Sequence, residues 1–337
     1  MITNFFLDNR KGGPHIYSEL LNKNFLIKKF INVTNGKTSY KSLEIINLRK
    51  ISKYFFPLEI IVNIIEIYFL FKKRNTNKIF FVFTIYNIAP IICGRFLNRK
   101  IYWFIIEKPS IFSKFIFLII NSIFEVRLVF ISRKIAEDLN IKKYIYLPPK
   151  IDSNFWNKKK QVKINKEILI TTVGNLNKIK NQLYITELLE KSKIKYVFNI
   201  IGEKLKTQKG YYNNLKRYVN FINSKKRNKI NLLGKKNHLQ IKKILNRTNI
   251  FILGSKTEGL SISLLEAMSM QCFPIISKES NISQIVRNNY NGLIFDLDER
   301  SFMKCVSKYL KMTNKNRNII IKNAQKTVLK LDRKSVV

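Results

Sequence analysis

The amino-acid sequence predicts an α/β protein built from two doubly wound units, in which parallel strands alternate with helices. Short runs that are apolar throughout alternate with longer segments whose apolar residues recur at helical spacing. Strands that are apolar on both faces belong to parallel sheets that helices cover on both sides. The alternation runs along most of the 337 residues and is interrupted once near the middle, so two successive units are expected.

The predicted strands and helices are short and evenly distributed. Strands are expected at 2–7, 78–85, 100–106, 127–131, 143–147, 167–173, 195–201, 229–233, 249–253 and 274–277. These runs are rich in the β-branched and aromatic residues that favour strands. Helices are expected at 14–23, 57–73, 111–124, 180–191, 211–224, 238–246, 261–270 and 299–311.

The segment 146–167 breaks the alternation and predicts the domain boundary. Pro148 and Pro149 end the preceding strand, because proline has no N–H to donate to a neighbouring strand. The residues that follow are polar and basic until the next strand. The sequence therefore predicts three parts with a cleft between the first two: an N-terminal domain at 1–150, a C-terminal domain at 151–312, and a last helix at 313–337 that packs back toward the N-terminal domain.

The net charge is the most unusual feature of the composition. Lys and Arg number 63 against 21 Asp and Glu, which gives a formal charge of +42. Such an excess attracts anions, among them nucleic acid, anionic lipid and phosphorylated ligands. The basic residues form short runs within a globular pattern, so most of the excess is interpreted as compositional bias. The part of the positive charge that has a function is expected to form a basic face toward an anionic membrane. Nucleic-acid binding is less favoured, since no nucleic-acid-binding module is recognisable.

The cysteine and hydropathy patterns predict a cytoplasmic protein. The three cysteines (Cys93, Cys272 and Cys305) form no paired motif, so neither a disulfide framework nor a zinc site is expected, and the N-terminus lacks the pattern of a signal peptide. The apolar stretches 57–71 and 111–124 fall short of the roughly 20 apolar residues that span a bilayer. They are predicted as core helices. The alternative is an apolar face with a basic rim that docks peripherally on the inner face of the cytoplasmic membrane.

The strongest candidate site is the segment EGLSISLLEAM, which begins at Glu258, follows the buried strand NIFIL and opens a helix. Gly259 lets the backbone approach a ligand closely, and Ser261 or Ser263 is placed to cap the helix. The free N–H groups of a helix N-terminus suit a phosphate or diphosphate. Glu258 lies in the loop before the helix, and Glu266 lies about one turn inside it. One carboxylate can then reach hydroxyl groups on one side of a bound diphosphate, and the other carboxylate those on the other side. From spacing alone, the alternative is a capped helix with two solvated glutamates.

This segment resembles the E-x7-E signature of retaining, GT-B-fold glycosyltransferases, the largest family that uses nucleotide sugars. VGNLNKIKN at 173–181 is similar to the family's G-R-L-x-x-x-K-G element, and NIIGE at 199–203 to its I-I-G-D/E-G element. FIS at 130–132 and YLPPKID at 146–152 are similar to its V-S and I-P-N-G-V-D elements. The resemblance extends from about residue 10 to residue 300, is specific in the C-terminal half, and implies the GT-B fold: two Rossmann-like domains that face each other across a cleft.

The resemblance implies a role for each matching residue. Glu258 would contact hydroxyls of the transferred sugar, Glu266 the ribose, and Lys180 the donor diphosphate, which becomes the leaving group. Gly12-Gly13-Pro14-His15 resembles the family's glycine-rich loop, which makes His15 a third candidate catalytic residue after Glu258 and Lys180; the alternative is an ordinary turn with a polar histidine. The donor-binding residues implied are Gly13, Gly174, Asn175, Lys180, Gly259, Leu260, Ser261, Ile262 and Glu266.

Four positions depart from the family pattern. Asn175 stands where Arg is common, with Lys178 as a candidate replacement, and Gln284 stands for a Glu. Gln271 occupies a position usually held by Gly, which costs on the order of 1 kcal/mol if that position needs a positive φ. Glu107 stands where many members have a histidine. The sequence therefore supports donor binding better than contacts with the acceptor.

The sequence Asp296-Leu297-Asp298 has the D-x-D spacing of metal-dependent glycosyltransferases of another fold. Its place after the last predicted strand indicates an acidic helix start instead. No other cluster has metal-ligand spacing, so metal-independent catalysis is expected.

The predicted function is transfer of a sugar from a UDP- or GDP-linked donor to a glycan or lipid-linked acceptor, without a cofactor, in bacterial cell-envelope polysaccharide synthesis. Two alternatives stay open: a basic nucleic-acid-binding protein and a GT-B sugar-nucleotide epimerase.

Overall fold

The computed structural model describes residues 2–6, 30–35, 45–48, 56–72, 78–107, 109–149, 151–157, 167–192, 194–259, 261–280, 282 and 285–333. The chain divides into two compact units, Met1–Pro149 and Lys150–Val337. Each unit is a Rossmann-like assembly of parallel strands and helices, which confirms the predicted fold class.

The N-terminal unit contains an all-parallel sheet in the order β3-β2-β1-β4-β5-β6-β7. Its described strands are β1 (Ile2–Phe6), β2 (Phe30–Asn35), β3 (Ile45–Leu48), β4 (Ile79–Phe83), β5 (Lys100–Ile105), β6 (Arg127–Phe130) and β7 (Ile145–Tyr146). Its described helices are α1 (Phe56–Lys72), α2 (Ala89–Phe96), α3 (Ile111–Ile123) and α4 (Arg133–Asp138).

The core of this unit lies on β4 and β5. Phe80 and Trp103 are fully buried, and the ring of Phe117 of α3 packs at a tilt against Trp103. The two predicted apolar helices are present as α1 and α3. Among the described helices, none is both long enough and apolar enough to cross a bilayer.

Several elements of the N-terminal unit were not predicted. β2 (FINVTN) and β3 (IINL) contain asparagines, which disfavour strands, yet parallel pairing with neighbouring strands holds them in the sheet. The short helices α2 and α4 were also missed; α2 has Pro90 in its first turn, where proline is tolerated. The predicted helix 14–23 lies outside the described residues.

The C-terminal unit contains a second parallel sheet, in the order β10-β9-β8-β11-β12-β13. Its strands are β8 (Ile168–Val173), β9 (Tyr196–Ile201), β10 (Lys229–Gly234), β11 (Ile250–Leu253), β12 (Phe273–Ser277) and β13 (Leu293–Phe295). Its described helices are α5 (Gln182–Lys191), α6 (Lys209–Ser224), α7 (His238–Leu245), α8 (Ile262–Ser269), α9 (Glu299–Lys311) and α10 (Asn314–Arg333). β13 was not predicted.

The strand order of this sheet reverses between β8 and β11. The chain runs from β8 to β9 and β10 on one side, then returns to place β11, β12 and β13 on the other. Parallel sheets bind ligands beyond the carboxyl ends of the strands at such a switch point, where the flanking loops diverge. The loops that follow β8 and β11 are therefore the place to look for a site.

The last helix, α10, packs within the C-terminal unit. Ala324 and Val328 are buried in one apolar cluster with Leu264 and Met268 of α8. Contact of this helix with the N-terminal domain stays a prediction.

Candidate functional site at the switch point of the C-terminal sheet

A lysine and a glutamate from the two switch-point loops meet beside β8 and β11. The Nζ of Lys180 donates to Oε1 of Glu258 at 2.5 Å, and the hydroxyl of Ser255 donates to the same oxygen at 2.6 Å. The side chain of Glu258 is only 10% exposed and that of Lys180 is 22% exposed. The two catalytic candidates of the C-terminal half thus form one partly buried ion pair.

Backbone contacts fix the positions of both loops. The backbone N–H of Lys180 donates to Oδ1 of Asn177 at 2.8 Å, and that of Lys256 donates to the carbonyl of Ile179 at 2.8 Å. The backbones of the two loops are therefore held to each other beside the ion pair.

Two glycines make room for the loop after β8. A Cβ on Gly202 would lie 1.8 Å from the carbonyl oxygen of Gly174, and a Cβ on Gly174 would lie 3.1 Å from Cε of Lys180. Gln182 donates from Nε2 to the carbonyls of Gly174 and Asn175, at 3.3 and 3.0 Å. Gly174 thus lets the Lys180 side chain lie across the loop.

The N-terminus of α8 differs from the predicted cap. Ser261 occupies the N-cap position but makes no side-chain capping bond. Its hydroxyl lies 3.1 Å from that of Ser263, which donates to the carbonyl of Val173 at 3.0 Å. The prediction that a serine caps the helix was wrong, because the two hydroxyls bond to each other and to β8. The first N–H groups of α8 therefore lack a side-chain cap at the end of the helix dipole that attracts anions.

The second glutamate of the motif lies inside the unit. The side chain of Glu266 is 6% exposed, and burial raises its pKa above the ordinary value, an effect that the contact with His238 reduces. The Nδ1 of His238 lies 3.5 Å from Oε1 of Glu266. The alternative of two solvated glutamates is therefore wrong for both Glu258 and Glu266.

His238 is a site residue that the sequence reasoning missed. It is the first residue of α7, whose N-terminus is held by a reciprocal capping box between Asn237 and Gln240. Its ring packs edge-on against Trp156 at 5.8 Å between centroids, and Ser269 donates to the Trp156 carbonyl at 2.6 Å. The available signal was that His238 is one of only two histidines, but nothing in its spacing pointed to Glu266.

The other predicted site residues are half-buried, exposed or outside the described residues. Gly259 and Ile262 are half-buried at the start of α8, whereas Asn175 and its candidate replacement Lys178 are exposed. The remaining three, Gly13, His15 and Leu260, lie outside the described residues.

Two of the remaining departures from the family pattern, Gln271 and Glu107, lie among the described residues. Gln271 has a φ of 58°, which confirms that a left-handed residue is needed where the family has glycine. Glu107 follows β5, and burial raises the pKa of its carboxyl; Gln284 lies outside the described residues.

The D-x-D sequence lies at a helix start. Asp298 is the N-cap of α9 and accepts from the backbone N–H of Ser301, which confirms the predicted acidic helix start. Within the described part of the chain, no three His, Cys, Asp or Glu side chains lie together as a metal site would require.

Comparison with solved structures identifies the class of fold. The chain is similar to the HepE protein of Anabaena in complex with UDP and glucose, with a TM-score of 0.81 and 11% identity over 98% of this chain and 97% of that one. It is similar to the sucrose-phosphate synthase of Thermosynechococcus elongatus (TM-score 0.81, 12% identity, 98% and 94% covered) and to a glycosyltransferase from Rickettsia africae (0.79, 16%, 98% and 93%). The protein therefore has the two-unit GT-B fold.

Sequence comparison then identifies the family. The profile described as "Glycosyl transferases group 1" matches residues 154–327, and the protein belongs to this family. An Escherichia coli enzyme, UDP-Gal:alpha-D-GlcNAc-diphosphoundecaprenol alpha-1,3-galactosyltransferase, is 31% identical over 167 residues, which are 48% of this chain and 41% of that enzyme. The match thus spans less than half the length of this relative.

Proposed function

We propose that the protein is a retaining glycosyltransferase that moves a sugar from a nucleotide diphosphate donor to a glycan or lipid-linked acceptor. The observation that carries this proposal is the contact between Lys180 and Glu258 at the switch point. A cation and a carboxylate that meet beside an uncapped helix N-terminus suit a ligand with a diphosphate at one end and hydroxyl groups at the other.

In the proposed reaction, Lys180 and the first N–H groups of α8 bind the donor diphosphate. The bond between the anomeric carbon and the phosphate oxygen breaks, and the acceptor oxygen bonds to the same face of that carbon. The acceptor proton passes to the leaving phosphate. Negative charge grows on the leaving oxygen, and a fixed cation with aimed N–H groups stabilises that charge without reorganisation. Lys180 and these N–H groups neutralise the diphosphate, as a divalent metal ion does in other glycosyltransferases. The proposed enzyme therefore needs neither a metal ion nor a cofactor.

The two glutamates bind the two ends of the donor. Glu258 accepts hydrogen bonds from hydroxyls of the transferred sugar, and its ion pair with Lys180 exchanges for these contacts when the diphosphate arrives. Glu266 accepts from the ribose hydroxyls. Its burial supports this role, since a buried carboxylate needs hydrogen-bond donors and a ribose supplies two.

The acceptor binds to the N-terminal unit in this proposal. Thr84 follows β4 with a φ of 73°, a strained backbone for a β-branched residue of the kind that recurs at functional sites. Glu107 follows the adjacent strand β5. The substrate in the name of the E. coli relative is a diphosphoundecaprenol. It supports a lipid-linked acceptor, a role in cell-envelope polysaccharide synthesis, and activity at the inner face of the cytoplasmic membrane. That relative and the HepE complex both favour UDP over GDP as the donor nucleotide.

Calorimetry with UDP, GDP and their sugars tests the donor site. UDP is expected to bind the wild type and to lose affinity in Lys180→Ala and Glu266→Gln. The matched control is the exposed ion pair Lys195–Glu167, 3.0 Å long. Its residues directly precede β9 and β8, at the opposite ends of these strands from the site. Lys195→Ala and Glu167→Gln should leave UDP affinity unchanged, and equal losses in the control variants would reject the assigned site.

Product analysis tests the reaction itself. With donor and a diphospholipid acceptor in EDTA, we expect a glycosylated lipid whose new linkage keeps the donor's anomeric configuration, read by NMR. Inversion, or a need for added metal, would reject the corresponding part of the proposal. Conversion of the donor without any acceptor would identify an epimerase instead.

A further inference from the structure

Helix α3 of the N-terminal unit presents an apolar face to the exterior. Phe117 and Ser113 point into the unit and are buried, and the opposite side of the helix is exposed: Phe112 is 74% exposed, Phe115 64% and Ile123 65%. We call this surface the α3 face, formed by Ile111, Phe112, Phe115, Leu118, Ile119 and Ile123.

The α3 face is a continuous stripe. From one turn to the next, its members are three or four residues apart, as in Phe112, Phe115, Ile119 and Ile123. This spacing places side chains on one side of a helix. No acidic residue occurs within the helix, and Lys114 is its one charged residue. Monomeric soluble proteins rarely leave large apolar patches open, so such a face marks a binding surface.

The surroundings of the α3 face are predominantly basic. The Nζ of Lys114 donates to the carbonyl of Asp138 at 2.9 Å, which places this side of α3 next to the end of α4. Lys142 and Lys143 follow soon after, and both are exposed. At the other end of α3, exposed Arg127 follows the helix. The acidic residues nearby are largely paired with cations: Glu125 with Arg95 at 3.7 Å, and Asp138 with Lys134 at 2.8 Å.

We propose that α3 docks the protein on an anionic lipid bilayer, with the α3 face in the boundary between headgroups and acyl chains. The 13 residues of α3 span about 20 Å, too short to cross a hydrocarbon core of about 30 Å, so the helix lies in the plane of the interface. Anionic headgroups then contact Lys142, Lys143 and Arg127.

Charge decides between a bilayer and a second copy of this chain. A chain with a formal charge of +42 repels its own copies, whereas an anionic membrane attracts it. The choice of a membrane also rests on the lipid-linked acceptor of the proposed function, because that acceptor resides in a bilayer.

Vesicle flotation tests this docking surface. We expect the wild-type chain to float with vesicles of phosphatidylcholine and phosphatidylglycerol, and less with phosphatidylcholine alone. The triple variant Phe112→Gln, Phe115→Gln, Ile119→Gln should bind at least about tenfold more weakly, since three apolar side chains no longer enter the lipid. Replacing Lys142 and Lys143 by Gln should cost about fivefold per lysine on the anionic vesicles.

A matched control removes three exposed apolar residues elsewhere. Phe221, Leu310 and Ile319 lie on helices of the C-terminal unit with similar exposure, and the triple Gln variant at these positions should bind vesicles like the wild type. Equal vesicle binding by the α3 variant and the wild type would overturn the proposal. So would a wild-type dimer in sedimentation velocity that the α3 variant abolishes, because that result assigns the face to a second copy.

UDP calorimetry on the same preparations separates the two proposals. UDP binding by the α3 variant shows that it is folded and that the donor site is intact. Vesicle binding without UDP binding would reject the proposed function and leave the docking surface standing. UDP binding by the wild type without vesicle binding would reject the docking surface and leave the proposed function standing.

Discussion

The two glutamates of the switch-point site are chemically identical but lie in opposite surroundings. Glu258 contacts the ammonium of Lys180 and the hydroxyl of Ser255. Glu266 is buried in α8, and this burial raises its pKa. Its titratable contact is the exposed imidazole of His238. The first carboxylate is stabilised by its neighbours, whereas the second is placed at a cost to folding. A carboxylate whose burial costs folding free energy indicates a residue that is retained for ligand binding. The following variants test this difference between Glu258 and Glu266.

Breaking the ion pair should give the largest effect on turnover. Lys180→Ala and Glu258→Gln are each expected to lower kcat by about a thousandfold. The first variant removes the cation that meets the negative charge on the leaving oxygen, and the second removes the carboxylate that positions the transferred sugar. Steady-state transfer assays measure this loss. The double variant should lose much less than the product of the two single losses, since the residues act as a unit. Fully multiplicative losses would show that the two side chains act independently.

Glu266→Gln should weaken UDP binding but stabilise the free protein. Loss of charge-assisted hydrogen bonds to the ribose is expected to reduce UDP affinity by about tenfold to a hundredfold, measured by calorimetry. Because burial raises the Glu266 pKa above its ordinary value of 4.5, the folded state binds the proton more tightly than the unfolded chain does. The contribution of Glu266 to the free energy of unfolding therefore falls as pH rises from the ordinary value through the raised pKa.

Glutamine does not titrate, so the free energy of unfolding of Glu266→Gln does not fall with rising pH through this position. The Tm of Glu266→Gln should match that of the wild type at acidic pH and exceed it by a few degrees at neutral pH. A lower Tm at neutral pH would show that the carboxylate stabilises the fold, and that the contrast with Glu258 is wrong.

Variants of His238 should produce a smaller, pH-dependent effect. The contact with His238 lowers the pKa of Glu266, so His238→Ala should raise that pKa further and weaken UDP binding by about tenfold, most on the acidic side. His238→Gln keeps a donor and should restore most of the affinity. The control is Lys243→Ala at an exposed position of the same helix. If His238→Ala shifts affinity equally at every pH, the imidazole contributes only packing.

Gln271→Gly should give the smallest effect, and on stability alone. Gln271 ends α8 with a φ of 58°, and glycine should relieve about 1 kcal/mol of strain. The weak hydrogen bond to Gln325 at 3.3 Å offsets part of this gain. Chemical denaturation should show a higher midpoint with unchanged UDP affinity. A change in affinity would mean that the end of α8 governs where Glu266 lies.

Local patterns predicted the sheets and the first half of the site, and long-range contacts account for what they missed. Apart from β13, the strands of the C-terminal unit were predictable because they are apolar on both faces. Lys180 and Glu258 were predictable because each lies in a motif next to such a strand. β2 and β3 were not, since their asparagines disfavour strands and only pairing with neighbours holds them in the sheet.

The second half of the site was less accessible from the sequence. Glu266 was predicted from spacing, but its burial depends on packing around α8. The contact with His238 joins residues of different helices, and no periodicity encodes it. The same holds for the missing serine cap, because Ser263 bonds instead to the carbonyl of Val173 on β8, a partner 90 residues away.

The placement of the site at the switch point also bears on how the chain acquires it. Lys180 and Glu258 are 78 residues apart, and β8 and β11 become neighbours only after β9 and β10 have been made and the chain has returned across the sheet. Contacts of such long separation form late and slowly. On a ribosome, a nascent chain that has passed β8 holds the lysine without its carboxylate until β11 emerges. Donor binding should therefore begin abruptly, with the closure of the sheet rather than with the growth of the chain.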